Sequence, residues 1–270
     1  MYGLRPLRLG EIFDAAIKIT KAQPGRTFGP AALLFSSLAV LQWLDLLAVD
    51  MSRTTTPSLW GLFFAGTGRE TPLFWAAVVI GLLALKPFVY DAAHETLIGT
   101  APTPPRELLG RIPTLALSGA IYIVAVAAGL LLFIIPGLIA AALGAVAQPA
   151  VVNERQDALE ALRRSVDLVK TDFARVVGFT ATLWCFRVMA GLAVALALPG
   201  FLPYSLQPNS TRLMAVALTV IIATLVWPVT LAARAVLFTD LRVRAESLDV
   251  DLLIADATMV EDTRRRWAPS

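Results

Sequence analysis

Cysteine and histidine are almost missing from this sequence: one of each, Cys185 and His94, occurs in 270 residues. A single cysteine excludes an intramolecular disulfide and any cysteine-based zinc site. A single histidine excludes every constellation that needs two. Charge is scarce as well, at 16% of the chain, against roughly a quarter in an ordinary soluble domain. No Gly-rich phosphate loop, G-x-S-x-G turn or Rossmann glycine pattern occurs. A secretory signal is not expected either. The first long apolar run begins only at Phe28, too far in for a signal peptide's hydrophobic region, and no A-x-A pattern closes it.

What the chain has in excess is apolar surface. Hydrophobic residues make up 57% and the mean hydropathy is +0.71. A soluble core hiding that much would leave too little polar surface to face water. The composition therefore implies an all-α, polytopic membrane protein.

A helix needs about 20 predominantly apolar residues to cross the hydrocarbon layer. Six stretches meet or approach that length: Phe28 to Leu47, Pro72 to Val89, Ile112 to Ile135, Leu138 to Val152, Val176 to Leu198 and Leu213 to Phe238. The third and fourth come from one uncharged run, which Pro136-Gly137 is expected to divide, because proline cannot continue a helix ladder and glycine permits a tight turn. The chain then reads as a cytoplasmic N-terminal segment over 1–27, a membrane domain over 28–238, and a cytoplasmic helix with a basic tail over 239–270.

Orientation follows from the basic residues. With the N-terminus inside, 19 of the 23 Lys and Arg fall on inner segments and three, Arg53, Arg69 and Arg212, on outer loops. Both termini are thus expected in the cytoplasm and the membrane is expected to be the plasma membrane. The inner segments show helical spacing of apolar residues. Leu159, Leu162, Val166, Val169 and Phe173 share one face of an amphipathic helix near 154–173, and Ile12, Ala16 and Ile19 share one near the start. Such faces either dock on lipid or a partner or pack on the inner end of the bundle. A looser rhythm also runs along the chain: Lys86-Pro87, Gln148-Pro149 and Trp227-Pro228 each fall toward the inner end of a descending span, as three parallel hairpins would place them.

Candidate chemistry is thin. Asp91, His94 and Glu95 share a helix face, but a zincin helix needs H-E-x-x-H and Ile98 stands where the second histidine would be. A solvated helix face is the simpler reading, and no catalytic, metal or cofactor residue is assigned. Polar residues within spans carry the better hints, since keeping them there costs a few kcal/mol each. These are Gln42 and Asp45 in the first span, Gln148 in the fourth and Arg187 in the fifth. Arg187 is expected to face the bundle interior and meet a polar group on another helix, with Asp45 or Gln42 as partner. Lys86 and Arg234 are near enough to the inner surface to snorkel. Ala140 and Gly144, with Gly119 and Gly129, mark close helix packing. The Arg264-Arg265-Arg266 run suits anionic lipid at the cytoplasmic face better than nucleic acid.

Three stretches together resemble a known family: Leu4-Arg5-Pro6-Leu7-Arg8-Leu9-Gly10-Glu11-Ile12-Phe13-Asp14; Pro136-Gly137 with Gln148-Pro149-Ala150-Val151-Val152-Asn153-Glu154 and Ala161-Leu162-Arg163-Arg164-Ser165; and Phe238-Thr239-Asp240-Leu241-Arg242-Val243-Arg244-Ala245-Glu246 with Leu248-Asp249. The chain resembles the bacterial, largely actinobacterial, multi-pass proteins labelled glycerophosphoryl diester phosphodiesterase membrane domains. In the enzyme of that name the chemistry belongs to a separate soluble barrel with paired histidines. The resemblance therefore implies a membrane module without that activity. The function expected first is a non-catalytic scaffold or assembly partner for other membrane or cytoplasmic proteins. The alternative is a transporter or channel for a small or lipid-like solute.

Overall fold

The computed structural model describes residues 7–48, 72–197 and 209–246, with the side chains of residues 42–48, 72–76, 134, 194–197, 209–213 and 215–216 falling outside it. Among the described residues every regular element is a helix. In chain order these are α1 (Leu9–Ala22), α2 (Pro24–Ala48), α3 (Pro72–Ile98), α4 (Pro105–Gly110), α5 (Ile112–Leu132), α6 (Ile134–Leu143), α7 (Ala147–Asn153), α8 (Ala158–Thr171), α9 (Phe173–Ala197) and α10 (Asn209–Glu246). Among the described residues five stretches are long and apolar enough to cross a membrane: Ala77–Ile98, Pro105–Leu132, Ile135–Asn153, Phe173–Ala193 and Ala217–Glu246. The remaining expected span, Phe28 to Leu47, falls in α2, a helix of 25 residues.

The uncharged run does divide, but not at Pro136-Gly137. The chain turns at Phe133, whose backbone is extended (φ −166°, ψ 161°), and Pro136 sits in the first turn of α6. A first-turn N–H has no partner inside the helix, so proline costs nothing there. The hairpin of α5 and α6 is instead closed by small residues. A Cβ on Gly129 would lie 2.8 Å from the Cα of Gly137, so the two backbones meet where any side chain would collide. Gly144 likewise receives the Tyr122 ring and Gly119 the Gln148 amide. At the end of α3, Gly99 (φ 82°) donates its N–H to the Glu95 carbonyl, the left-handed stop that glycine adopts without strain.

The short helices are drawn into the bundle. α1 buries Ile12, Ala15, Ala16 and Ile19, which include the three residues aligned by spacing. α8 is turned from its expected face. Ala158, Ala161, Ser165, Leu168 and Val169 are buried, whereas Leu159 is 59% exposed. Small residues explain the rotation: Ala158 and Ala161 permit close approach. The Ser165 hydroxyl donates to the Leu143 carbonyl (2.6 Å) and accepts from the Val146 N–H (3.3 Å). That one side chain satisfies backbone groups freed where α6 breaks before α7. α10 runs unbroken from Asn209 to Glu246, so the chain past Phe238 continues the last helix for two further turns.

Candidate functional site

Ion pairs collect at one end of the bundle and tie distant parts of the chain. Arg26, at the start of α2, meets Asp91 (2.5 Å) and Glu95 near the end of α3. Asp91 also accepts from the Thr103 hydroxyl and N–H. The acidic members of the Asp91/His94/Glu95 face thus turn to an arginine. Glu154 takes Arg164 through both Nε (3.0 Å) and Nη2 (3.1 Å), and Arg242 through Nε (3.1 Å). Glu246 closes the ring against Arg164 and Arg242. The hydrogen-bonded Glu154 carboxylate above all, with Glu246 behind it, raises the Arg164 pKa over its usual value.

The third knot is the tightest. Asp240 is sealed from solvent and receives Arg175 and Arg244, both at 3.1 Å, and the Leu7 N–H at 2.6 Å. The Leu7 carbonyl in turn accepts from the same two arginines. Leu7 is therefore held through both its N–H and its C=O by the last helix and the base of α9. These knots use Leu7, Glu154, Arg164, Asp240, Arg242, Arg244 and Glu246, which join the two ends of the described chain to its middle.

Higher in the bundle lies a different cluster. Arg187 on α9 donates to Thr230 Oγ1 (3.0 Å) and stands over the Trp227 ring, 4.6 Å from its centroid, both on α10. It does meet a polar group on another helix. The expected acceptors Gln42 and Asp45 have side chains outside the described residues. Lys86 on α3 and Arg234 on α10 lie within electrostatic range of Arg187 and of each other. Both are half-buried. Tyr90, fully buried, stands beside Arg234, and its hydroxyl is 3.5 Å from Gln148 Oε1 on α7.

Helix geometry explains the convergence. Arg187 is 14 residues into α9, while Lys86 and Arg234 are each 12 residues before the ends of α3 and α10. At 1.5 Å per residue all three sit roughly 18–21 Å from the charged ends of their helices. The proline rhythm also lands here. Lys86 precedes Pro87, Gln148 precedes Pro149, and Trp227 precedes Pro228. Of the polar residues singled out from sequence, Gln148 and Arg187 belong to this cluster. Lys86, Tyr90, Trp227, Thr230 and Arg234 join them, and the X-Pro pattern was the signal that marked three of the sites. Arg264, Arg265 and Arg266 lie outside the described residues.

Among the described residues no group of three or more His, Cys, Asp or Glu is placed to hold a metal ion. The chain matches no family model, and no curated protein or solved structure matches it.

Proposed function

We propose that the protein is a six-span, non-catalytic protein of the bacterial plasma membrane, with both termini in the cytoplasm, that binds a small or lipid-like solute within its helix bundle. The sixth span is α2, and the charged end of the bundle is the cytoplasmic one. The observation that carries the reading is the convergence of Lys86, Tyr90, Gln148, Arg187, Thr230 and Arg234 from four apolar helices. A polar group inside a membrane is costly unless it is partnered. Here Arg187 Nε and Arg234 Nε reach no acceptor in the described structure. A site that leaves donors open in a low-dielectric setting is suited to receiving a ligand.

The solute reading thus moves ahead of the scaffold expected first from sequence, because α1 spends its apolar face, Ile12, Ala15, Ala16 and Ile19, on the bundle itself. One observation still favours a scaffold. Leu159, Leu162 and Val166 stay out of the core and, with Ile121, Tyr122 and Leu143, line a groove of about 620 Å³ on the α8 side. The likeness to the phosphodiesterase-labelled membrane domains fits either reading and brings no catalytic residue to this chain.

Affinity purification in mild detergent separates the two. A bound non-protein solute with no stoichiometric protein partner is the expected outcome. A fixed protein partner that is lost on Leu162→Asp, with Arg187→Gln leaving it in place, would favour the scaffold.

A further inference from the structure

At the charged end of the bundle, five arginines come with negative charges. Arg26 has Asp91 and Glu95; Arg164 and Arg242 share Glu154 and Glu246; Arg175 and Arg244 share Asp240. Lys86, Arg187 and Arg234 break that pattern. Among the described residues no carboxylate pairs with any of them; Arg187 donates to Thr230, one helix turn from Arg234, and Lys86 stands one turn from Tyr90, which reaches Gln148. A guanidinium stays protonated in practice, so two of the three cannot escape by neutralising.

The hydrogen-bond inventory is just as lopsided. Two guanidiniums and one ammonium bring roughly a dozen N–H donors. Facing them are the hydroxyls of Thr230 and Tyr90 and the amide oxygen of Gln148. Trp227 attracts the Arg187 charge through its ring but brings no oxygen acceptor. What the cluster lacks is negative charge and acceptor oxygens together. All three cations are only half-buried, so the cluster is not sealed against a ligand.

The geometry points to an oxyanion site in which Lys86, Arg187 and Arg234 together hold a phosphate group, carried on a lipid headgroup or free. The assignment rests on the solute-site reading above and names the ligand class. Two fixed positive charges, a lysine that a bound anion would hold protonated, and a surplus of donors fit a phosphate, with up to two negative charges and three or four acceptor oxygens. A carboxylate, with one charge and two oxygens, would leave most of both unmet. Arg is well shaped for such oxygens, and Lys adds a point charge.

The test is thermal unfolding of the purified full-length protein in uncharged detergent, at fixed ionic strength. Phosphatidic acid in the micelles is compared with phosphatidylcholine, and inorganic phosphate with chloride. A site filled to a hundred times its Kd should raise the midpoint by about 5 °C or more. A shift with phosphatidic acid alone identifies a lipid headgroup, and one with inorganic phosphate also identifies the free ion. Lys86→Met should lose most of the shift, and Lys86→Arg should retain it. Without phosphate, Lys86→Met should be at least as stable as the wild type, because the charge removed had no partner.

Failure of both phosphate probes to move the wild type overturns the assignment. So does an undiminished shift in Lys86→Met, or a Lys86→Met protein that does not fold. If neutral or cationic solutes stabilise the protein through Arg187 and Tyr90 instead, the solute site stands and its anionic character is wrong. If no solute's effect changes in any variant of the cluster, both fall.

Discussion

Replacing Asp240 with alanine should lower the unfolding midpoint of the purified protein by about 10 °C. The carboxylate is fully sealed and holds three partners: Arg175, Arg244 and the Leu7 N–H. Removing it leaves two guanidiniums facing each other across a vacated site, one of them only 15% exposed. Breaking a buried pair from one side costs about 3–5 kcal/mol, since the surviving charge stays desolvated without its partner. At 2–4 °C per kcal/mol for a chain of a few hundred residues, that is roughly 10 °C. Asp240→Asn keeps the shape and one acceptor, so it should recover part of the loss. A drop under about 2 °C for Asp240→Ala, measured by thermal denaturation in detergent, would mean that this knot does not hold the N-terminus to the last helix.

The largest effect expected is all-or-none. A reporter active only outside the cytoplasm should work when fused after Ser205 and fail when fused after Ser165. The basic residues divide 19 to three between the two sides, and juxtamembrane Lys and Arg resist translocation. The pairing of Arg26 with Asp91 and Glu95 also fits one side for the start of α2 and the end of α3. Losing one span would put the basic segment around Arg163 and Arg164 outside. Equal signals at the two sites, or the reverse pattern, would remove the six-span arrangement.

Much of the architecture was legible in the sequence because it rests on local rules. Apolar run length located the five stretches long and apolar enough to cross a membrane among the described residues, and spacing located the buried face of α1. Where small residues or single hydroxyls decide packing, the pattern misleads. In α8 the bulky Leu159–Leu162–Val166 stripe looks like the core face, yet Ala158, Ala161 and Ser165 are buried because they let the helix approach closely and repair the break between α6 and α7. Proline was misread at the α5–α6 turn for a related reason: a first-turn Pro136 opens a helix as readily as it ends one. The cation cluster was half legible. Arg187 stands out as a lone charge in mid-span, but Lys86 and Arg234 pass as snorkelling residues until the helices are placed side by side. Long-range pairs such as Leu7 with Asp240, 233 residues apart, leave no trace in periodicity at all.

Native mass spectrometry of the protein, released from mild detergent after expression in a bacterial membrane, tests the solute site most directly. The wild type should carry a discrete added mass that survives repurification. The Lys86→Met/Arg234→Met variant, folded to the same extent, should fly without it. A bare wild-type mass, or the same added mass on both proteins, would contradict the account.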